Sequence, residues 1–200
     1  MKEILFIVVA ACLTNNVVLV KFLGVCPFLG VSNKLGKAMS MSASVGAVMV
    51  LSAAITWPLQ HLVLERFGIE YMQTALFLFT IGALVQLLEA YVKRFRPALQ
   101  EGFGEYLPLI ASNCAVLGVC TTNITENYSY IMSVMNSLGS GLGFALAMFM
   151  FAGIRERIEH NDVPESFKGL PITLISAAIV SLTLVGFTGL TTGLFGMETL

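Results

Sequence analysis

The sequence predicts an all-α integral membrane protein, and three observations lead to this fold class. Apolar residues make up 56% of the 200 residues, charged residues make up only 12%, and the mean hydropathy is +0.85. These values lie well outside the usual balance of soluble domains. The charges fall between long apolar stretches, and no linker between them is long enough to fold separately. We therefore predict a single membrane domain over residues 1–200.

Six stretches are predicted to cross the membrane. A bilayer core about 30 Å thick needs about 20 mostly apolar residues per helix. One stretch, 106–120, is shorter than that, and we predict it to be a partly irregular span shielded by protein. The first stretch runs far beyond a signal-peptide core, so we expect it to be retained. The five long stretches are 4–31, 39–64, 71–92, 129–153 and 170–195.

The basic residues predict the orientation of these spans. With six crossings, the linkers after the first, third and fifth spans share one side of the membrane. Most of the Lys and Arg residues fall there, and only Lys2 and Arg66 are left for the other side. The positive-inside rule then puts those linkers in the cytoplasm and both termini outside. No dense basic patch with interleaved aromatic residues occurs, so no nucleic-acid partner is expected. The residues assigned to the cytoplasmic side are Lys21, Lys34, Lys37, Lys93, Arg94, Arg96, Arg155, Arg157 and Lys168.

A short motif occurs twice in the chain. "CPFLGVS" begins at Cys26 and "CAVLGVC" begins at Cys114, and the two share a cysteine, a leucine, a glycine and a valine at a constant offset. Each copy lies in the first span of a three-span unit, and three is odd, so the second unit enters the membrane upside down. We therefore predict two inverted three-helix repeats, approximately 1–97 and 98–200, with a functional site near the midplane at their interface.

Helix-breaking residues accompany both cysteines. Pro27 has no backbone donor, so a helix that restarts there leaves Cys26 at its N-cap, where the helix dipole favours the metal-binding thiolate. A straight helix from Leu5 would overshoot the midplane, so the first span must tilt, protrude or unwind before Cys26. We predict breaks in the first and fourth helices near Cys26 and Cys114, at Gly24, Pro27, Gly30 and Gly118.

Other polar and small residues inside the spans are further candidates. Four polar residues are predicted either to line an ion path or to form hydrogen bonds with freed backbone groups and with neighbouring helices. They are Asn15, Asn16, Lys21 and Asn113. The remaining two cysteines, Cys12 and Cys120, are predicted to be small buried hydrophobes. We also expect an ion pair between Glu89 and Lys93 and close helix packing at "GSGLG", 139–143.

The cysteine pair limits the possible metal sites. Two cysteines do not complete an iron–sulfur site, which normally takes four thiolates, so a second copy or a sister subunit must contribute the others. No Cys-x-x-Cys sequence is present, which argues against a ferredoxin-type 4Fe–4S domain. A zinc site is disfavoured because His61 and His160 are predicted on opposite sides of the membrane.

Several motifs together resemble a known family. "NNVVLVKFLGVCPFLGVS", "LPLIASNCAVLGV", "GIRER" followed by "DVP", and the closing "GFTGL" are similar to the A subunits of Rnf complexes. These complexes are ion-translocating ferredoxin:NAD oxidoreductases of bacterial and some archaeal membranes. The resemblance covers essentially the full chain. Its superfamily includes the E subunit of the sodium-translocating NADH:quinone oxidoreductase.

The resemblance implies a role within a larger enzyme. It implies a homologous, oppositely oriented E-type partner, further subunits of the B, C, D and G types, and a location in the prokaryotic cytoplasmic (inner) membrane. It also implies a 2Fe–2S cluster shared between the two homologues, with Cys26 and Cys114 as this chain's ligands, and coupling to Na+ or H+. The chain alone is expected to bind neither flavin nor NAD and to have no catalytic residue.

Three other interpretations stay open at this point. The chain could be an E-type subunit of the NADH:quinone oxidoreductase. It could be an inverted-repeat secondary transporter with incidental cysteines, or a purely structural membrane subunit. Iron analysis with and without the two cysteines separates a cluster-bearing subunit from the transporter and the structural subunit.

Overall fold

The computed structural model describes residues 7–26, 35–68, 70–95, 110–159, 161 and 164–195. These residues form helices and turns, with no strand among them. The first helix, α1 (7–14), ends in the π-helical turn Ala10–Thr14. The others are α2 (Leu35–Leu59), α3 (Gln73–Phe95), α4 (Cys114–Thr125), α5 (Tyr130–Glu159) and α6 (Leu170–Phe195).

Short irregular helices adjoin three of these elements. A π-helical turn, Gln60–Leu64, and a last α-turn, Glu65–Phe67, extend α2 as far as Gly68. Gly68 has φ of 67°, the left-handed conformation in which glycine commonly ends a helix. The 3-10 turns Glu70–Met72 and Glu165–Phe167 precede α3 and α6.

Long apolar helices confirm the prediction of an all-α membrane protein. Within the described ranges, three helical stretches are long and apolar enough to cross a bilayer: Ala38–Phe67, Gln73–Arg94 and Tyr130–Ile158. They correspond to the second, third and fifth predicted spans. Two shorter apolar helices, Cys114–Thr125 and Leu170–Thr183, lie in the fourth and sixth. The six crossings, the inverted repeats, the single domain and the external termini stay predictions.

Glycines bring α2, α5 and α1 into close contact at the centre of the molecule. A Cβ on Gly141 would lie 3.0 Å from the Cα of Gly46, so α5 and α2 cross backbone to backbone. A Cβ on Gly139 would lie 2.8 Å from the Val8 carbonyl oxygen of α1. These contacts confirm the predicted packing role of "GSGLG". The contact at Gly139 places α1 directly against α5. The bulkiest buried side chains of the core are Phe77, Phe144, Phe151, Met41 and Met49.

Candidate metal centre

The first predicted span unwinds well before Cys26. Helix α1 ends at Thr14, residues 15–24 form turns, and helical conformation returns at 25 and 26. Phe22 and Gly24 have φ of 54° and 81°, both in the left-handed region. Of the three alternatives for the first span, which are tilting, protruding and unwinding before Cys26, the structure shows unwinding. Pro27 and Gly30, two of the predicted helix breaks, lie outside the described residues.

Asn16 holds the unwound segment in place. Its Oδ1 accepts hydrogen bonds from the backbone N–H groups of Val18 (3.0 Å) and Leu19 (3.3 Å). Its Nδ2 donates to the carbonyl oxygens of Cys12 (3.0 Å) and Gly143 (2.9 Å). Asn16 is buried, so these four bonds satisfy an amide and backbone groups that would be costly to leave unpaired. Its neighbour Asn15 is exposed.

A second break precedes Cys114. Residues 110 and 111 are helical, Ser112 is in a turn, and α4 begins at Cys114. The N-cap is Asn113, whose Oδ1 accepts a 3.0 Å hydrogen bond from the Ala115 N–H. Cys114 is therefore the first residue of α4, directly after the N-cap.

One hydrogen bond joins the two breaks. The Gly24 N–H donates to the Cys114 sulfur at 2.9 Å. The two residues from Gly24 to Cys26 span at most about 7 Å, so the Cα of Cys26 is no more than roughly 12 Å from that sulfur. Both thiols are free, with Cys26 exposed and Cys114 half-buried. The fold thus brings the two repeated cysteines to the same region of the molecule.

Only glycine fits at position 24. A Cβ there would lie 2.9 Å from the Ala115 Cβ, 3.1 Å from the Phe144 ring and 3.2 Å from the Asn113 Oδ1. The positive φ of Gly24 also disfavours any residue with a side chain. The missing side chain is what allows the Gly24 amide to approach the Cys114 sulfur.

Residues 21–24, which we call the clasp, run antiparallel along one face of α4. Positions 114, 118 and 122 of α4 are four residues apart and so share a face. Gly24 contacts Cys114, the Leu23 side chain fills the place of a Cβ on Gly118, and the Lys21 Nζ donates to the Thr122 Oγ1 at 3.2 Å.

The clasp corrects two sequence-based expectations. The prediction of a helix break at Gly118 is wrong, because Gly118 lies inside the continuous helix α4 and its missing side chain instead admits Leu23. The sequence also assigns Lys21 to the cytoplasmic end of the first span. Its ammonium instead lies beside Thr122, in the last turn of α4, which the same predicted topology puts toward the outside.

An open cavity of about 520 Å³, with polar and apolar side chains in its lining, leads along this face to Cys114. It contains an ammonium group, a carboxylate and several threonine hydroxyls in addition to the thiol. The cavity runs from Cys114 toward the turn at Glu126. Its lining includes Lys21, Thr74, Cys114, Thr121, Thr122 and Glu126.

The donor set fits half of a 2Fe–2S site. Within the described ranges no three His, Cys, Asp or Glu side chains converge on one point, so this part of the chain does not build a complete metal site. It does present two thiols at neighbouring helix breaks, one of them at a helix N-terminus and bonded by an N–H group. These are suitable ligands for iron and supply two of the four that a cluster needs.

The other two cysteines have different surroundings. Cys120 is buried in α4. Cys12 is partly exposed, and its carbonyl oxygen accepts the bond from Asn16. Neither lies at a helix break like those that precede Cys26 and Cys114.

A buried amide network anchors α4 to α5, and none of the sequence motifs indicated it. The Asn123 Nδ2 donates to the Ser133 carbonyl oxygen (3.2 Å) and the Ser137 Oγ (2.9 Å), and its Oδ1 accepts from the Asn136 Nδ2 (2.7 Å). The signal that could have revealed it is the recurrence of Ser and Asn at helical spacing in α5. The network fixes the helix that begins with Cys114.

The fold and the site together define a helical membrane protein in which two interrupted helical segments each carry one thiol of a pair. A family model described as "Rnf-Nqr subunit, membrane protein" matches residues 4–191. The chain belongs to this Rnf-Nqr family of membrane subunits.

Full-length relatives share this chain's length and much of its sequence. The chain is 46% identical over 193 residues to the A subunit of the ion-translocating oxidoreductase complex of Syntrophotalea carbinolica (96% of this chain, 100% of the relative). It is 45% identical over 190 residues to the A subunit of the Na(+)-translocating ferredoxin:NAD(+) oxidoreductase complex of Acetobacterium woodii (95% and 99%). The corresponding A subunit of an ion-translocating oxidoreductase complex of Vibrio cholerae is 44% identical over 190 residues (95% and 98%).

Proposed function

We propose that this chain is the A-type subunit of an ion-translocating ferredoxin:NAD+ oxidoreductase in the prokaryotic cytoplasmic membrane. In this proposal, Cys26 and Cys114 supply two of the four thiolates of an intramembrane 2Fe–2S cluster. The observation that carries the proposal is the bond from the Gly24 N–H to the Cys114 sulfur, because it joins two helix breaks at a thiol. The relatives' names favour an A-type over an E-type subunit.

The residues of this chain would bind and stabilise the cluster. Cys114 begins α4 and its sulfur accepts a hydrogen bond from the Gly24 N–H, and hydrogen bonds to ligand sulfurs adjust the potential of a cluster. A bound 2Fe–2S cluster supplies one-electron transfer. The buried Asn16 and Asn123 keep the two breaks in position through their bonds to α5.

A homologous, oppositely oriented E-type subunit would complete the site. Cys26 is exposed on this chain, as a ligand shared across a subunit interface must be before assembly. The partner would bring the second pair of thiolates. Subunits of the B, C, D and G types would bind the flavin and nucleotide cofactors, which this chain is not expected to bind.

Electron transfer would be coupled to movement of Na+ or H+ through the inverted repeats. A change in cluster charge at the repeat interface can bias two inverted halves between outward-open and inward-open forms. Ion transport that persisted in assembled complexes without the cluster would refute this coupling.

The proposal is tested on the purified whole complex. Cys26→Ala and Cys114→Ala, singly and together, are expected to remove a 2Fe–2S signal from the electron paramagnetic resonance (EPR) spectrum and to lower the iron content by the same cluster. Electron transfer from ferredoxin to NAD+ should fall by at least about 100-fold, because a missing relay interrupts a single path.

Cys12→Ala and Cys120→Ala are the matched controls, since they remove the two thiols of the same spans that are not proposed as ligands. Both should keep the signal and the iron. A double Cys26/Cys114 variant that assembles and retains the full iron content and electron transfer would overturn the proposal and favour a transporter or structural role.

A further inference from the structure

Lys21 is a cation inside a membrane-spanning region, and its position requires an explanation. A charged side chain within the bilayer costs several kcal/mol unless it has a partner or reaches water. Its Nζ is held by a neutral hydroxyl, that of Thr122, at 3.2 Å. The ion pairs His61–Glu65 and Glu89–Lys93 lie elsewhere, and Lys21 forms no ion pair with Glu126, the carboxylate that lines the same cavity.

The clasp fixes where this charge lies relative to Cys114. Thr122 follows Cys114 by eight residues of continuous α-helix, which is about 12 Å at 1.5 Å per residue. Lys21 and Cys114 line the same open cavity, together with Glu126 at its far end. The ammonium therefore lies on the route between Cys114 and the end of α4, with no helix between it and the thiol.

We propose that Lys21 is the counter-charge of the cluster and holds its reduction potential up. The inference rests on the proposed function. With four thiolates and two sulfides around two ferric ions the cluster is anionic, and reduction adds one more negative charge, so a nearby cation favours the reduced form. Lys21 is an electrostatic tuning residue, and it contacts neither the cluster nor the electron donor.

Distance and surroundings set the expected size of this effect. Two unit charges about 12 Å apart at an effective dielectric constant near 20 interact strongly enough to shift a one-electron equilibrium about tenfold. A tenfold shift corresponds to about 59 mV for one electron. The Gly24 N–H bond to Cys114 comes from the backbone, so replacing the Lys21 side chain removes the charge and leaves that bond in place.

The test is a redox titration of the assembled complex followed by EPR. The cluster signal is first identified as the one that disappears in Cys114→Ala. Lys21→Met is expected to lower the midpoint potential of that signal by about 59 mV, a tenfold change in the reduced-to-oxidised ratio at fixed ambient potential. Lys21→Arg keeps the charge and should restore the midpoint. Lys168→Met removes one charge from the exposed linker before α6 and should leave it unchanged.

The outcomes separate this inference from the proposed function. If the wild-type complex lacks a signal that depends on Cys114, the proposed function fails. If that signal is present and Lys21→Met leaves its midpoint unchanged, only the counter-charge role is overturned. If Lys21→Met loses the cluster while Lys21→Arg keeps it at the wild-type potential, the charge requirement is supported. If both Lys21→Met and Lys21→Arg lose the cluster, the counter-charge role is overturned, because the positive charge kept by arginine would not be enough to retain the cluster.

Discussion

At the scale of single residues, a buried amide and two glycines produce the geometry around Cys114. Asn16 replaces the helical hydrogen bonds that the chain gives up when α1 ends, and Gly24 accepts a left-handed conformation in a space with no room for a Cβ. Gly118 leaves the space that Leu23 occupies. Each of these residues acts on the position of a backbone segment, and the thiol chemistry depends on that position.

Asn16→Ala tests this interpretation. The substitution leaves the N–H groups of Val18 and Leu19 and the carbonyl oxygen of Gly143 without the amide that now bonds them. Unpaired buried groups cost about 1–3 kcal/mol each, so we expect a loss of several kcal/mol, seen as a lower unfolding temperature of the purified complex and a reduced iron content. Asn15→Ala is the control, since Asn15 is exposed, and it should change stability by less than about 0.5 kcal/mol. Equal stability of the two variants would contradict the role assigned to Asn16.

At the scale of secondary-structure elements, short helices carry the site and long helices support it. The length and hydropathy of the long helices predicted α2, α3 and α5, because any apolar run of that length must be helical in a bilayer. The repeated motif and the polar residues indicated where the chain breaks.

Neither the clasp nor the position of the unwound segment before it could be predicted from the sequence. The Asn16 bond to Gly143 joins residues 127 positions apart, and the contact between Leu23 and Gly118 depends on where the unwound segment crosses α4. Local patterns do not encode such pairings. The prediction for the glycine at 118 is wrong for this reason, since its function depends on a neighbour distant in sequence.

Two glycines of α5 provide a test of the packing between elements. A Cβ on Gly143 would lie 2.8 Å from the Cys12 carbonyl oxygen and 3.1 Å from the Asn16 Nδ2, whereas a Cβ on Gly153 meets no atom within 4 Å. Gly143→Ala should destabilise the protein by about 1–3 kcal/mol, because α1 must move away from α5. Gly153→Ala should be neutral or stabilising by up to about 1 kcal/mol, because alanine is the better helix former.

Thermal unfolding of the two variants, followed in the same detergent, provides the comparison. Because both substitutions add one methyl group to the same helix, a difference between them reports the contact with α1 and not helix propensity. If the Gly143→Ala variant is as stable as the Gly153→Ala variant, α1 does not pack on α5 as described.

At the scale of the whole molecule, the two ends of the helical bundle differ in chemistry. At one end of the bundle, α2 and α4 end and α3 and α5 begin. At this end the Trp57 Nε1 donates a hydrogen bond to the Tyr128 carbonyl oxygen at 2.8 Å. Trp57 also packs edge-on against Tyr130, with ring centroids 5.4 Å apart. Such aromatic residues are typical of a membrane interface. At the other end α3 and α5 finish with Lys93, Arg94, Arg155 and Arg157.

This asymmetry makes the predicted orientation testable. The basic end should face the cytoplasm and the aromatic end should face outward. Asn127→Cys, in the exposed turn between α4 and α5, is expected to react with a membrane-impermeant thiol reagent in intact spheroplasts. Lys168→Cys, in the linker before α6, should react only after the membrane is permeabilised. The parent chain, with its four native cysteines, provides the background labelling in both states. The reverse labelling pattern would show that the protein has the opposite orientation in the membrane. The cavity that runs from Cys114 toward Glu126 would then open to the cytoplasm.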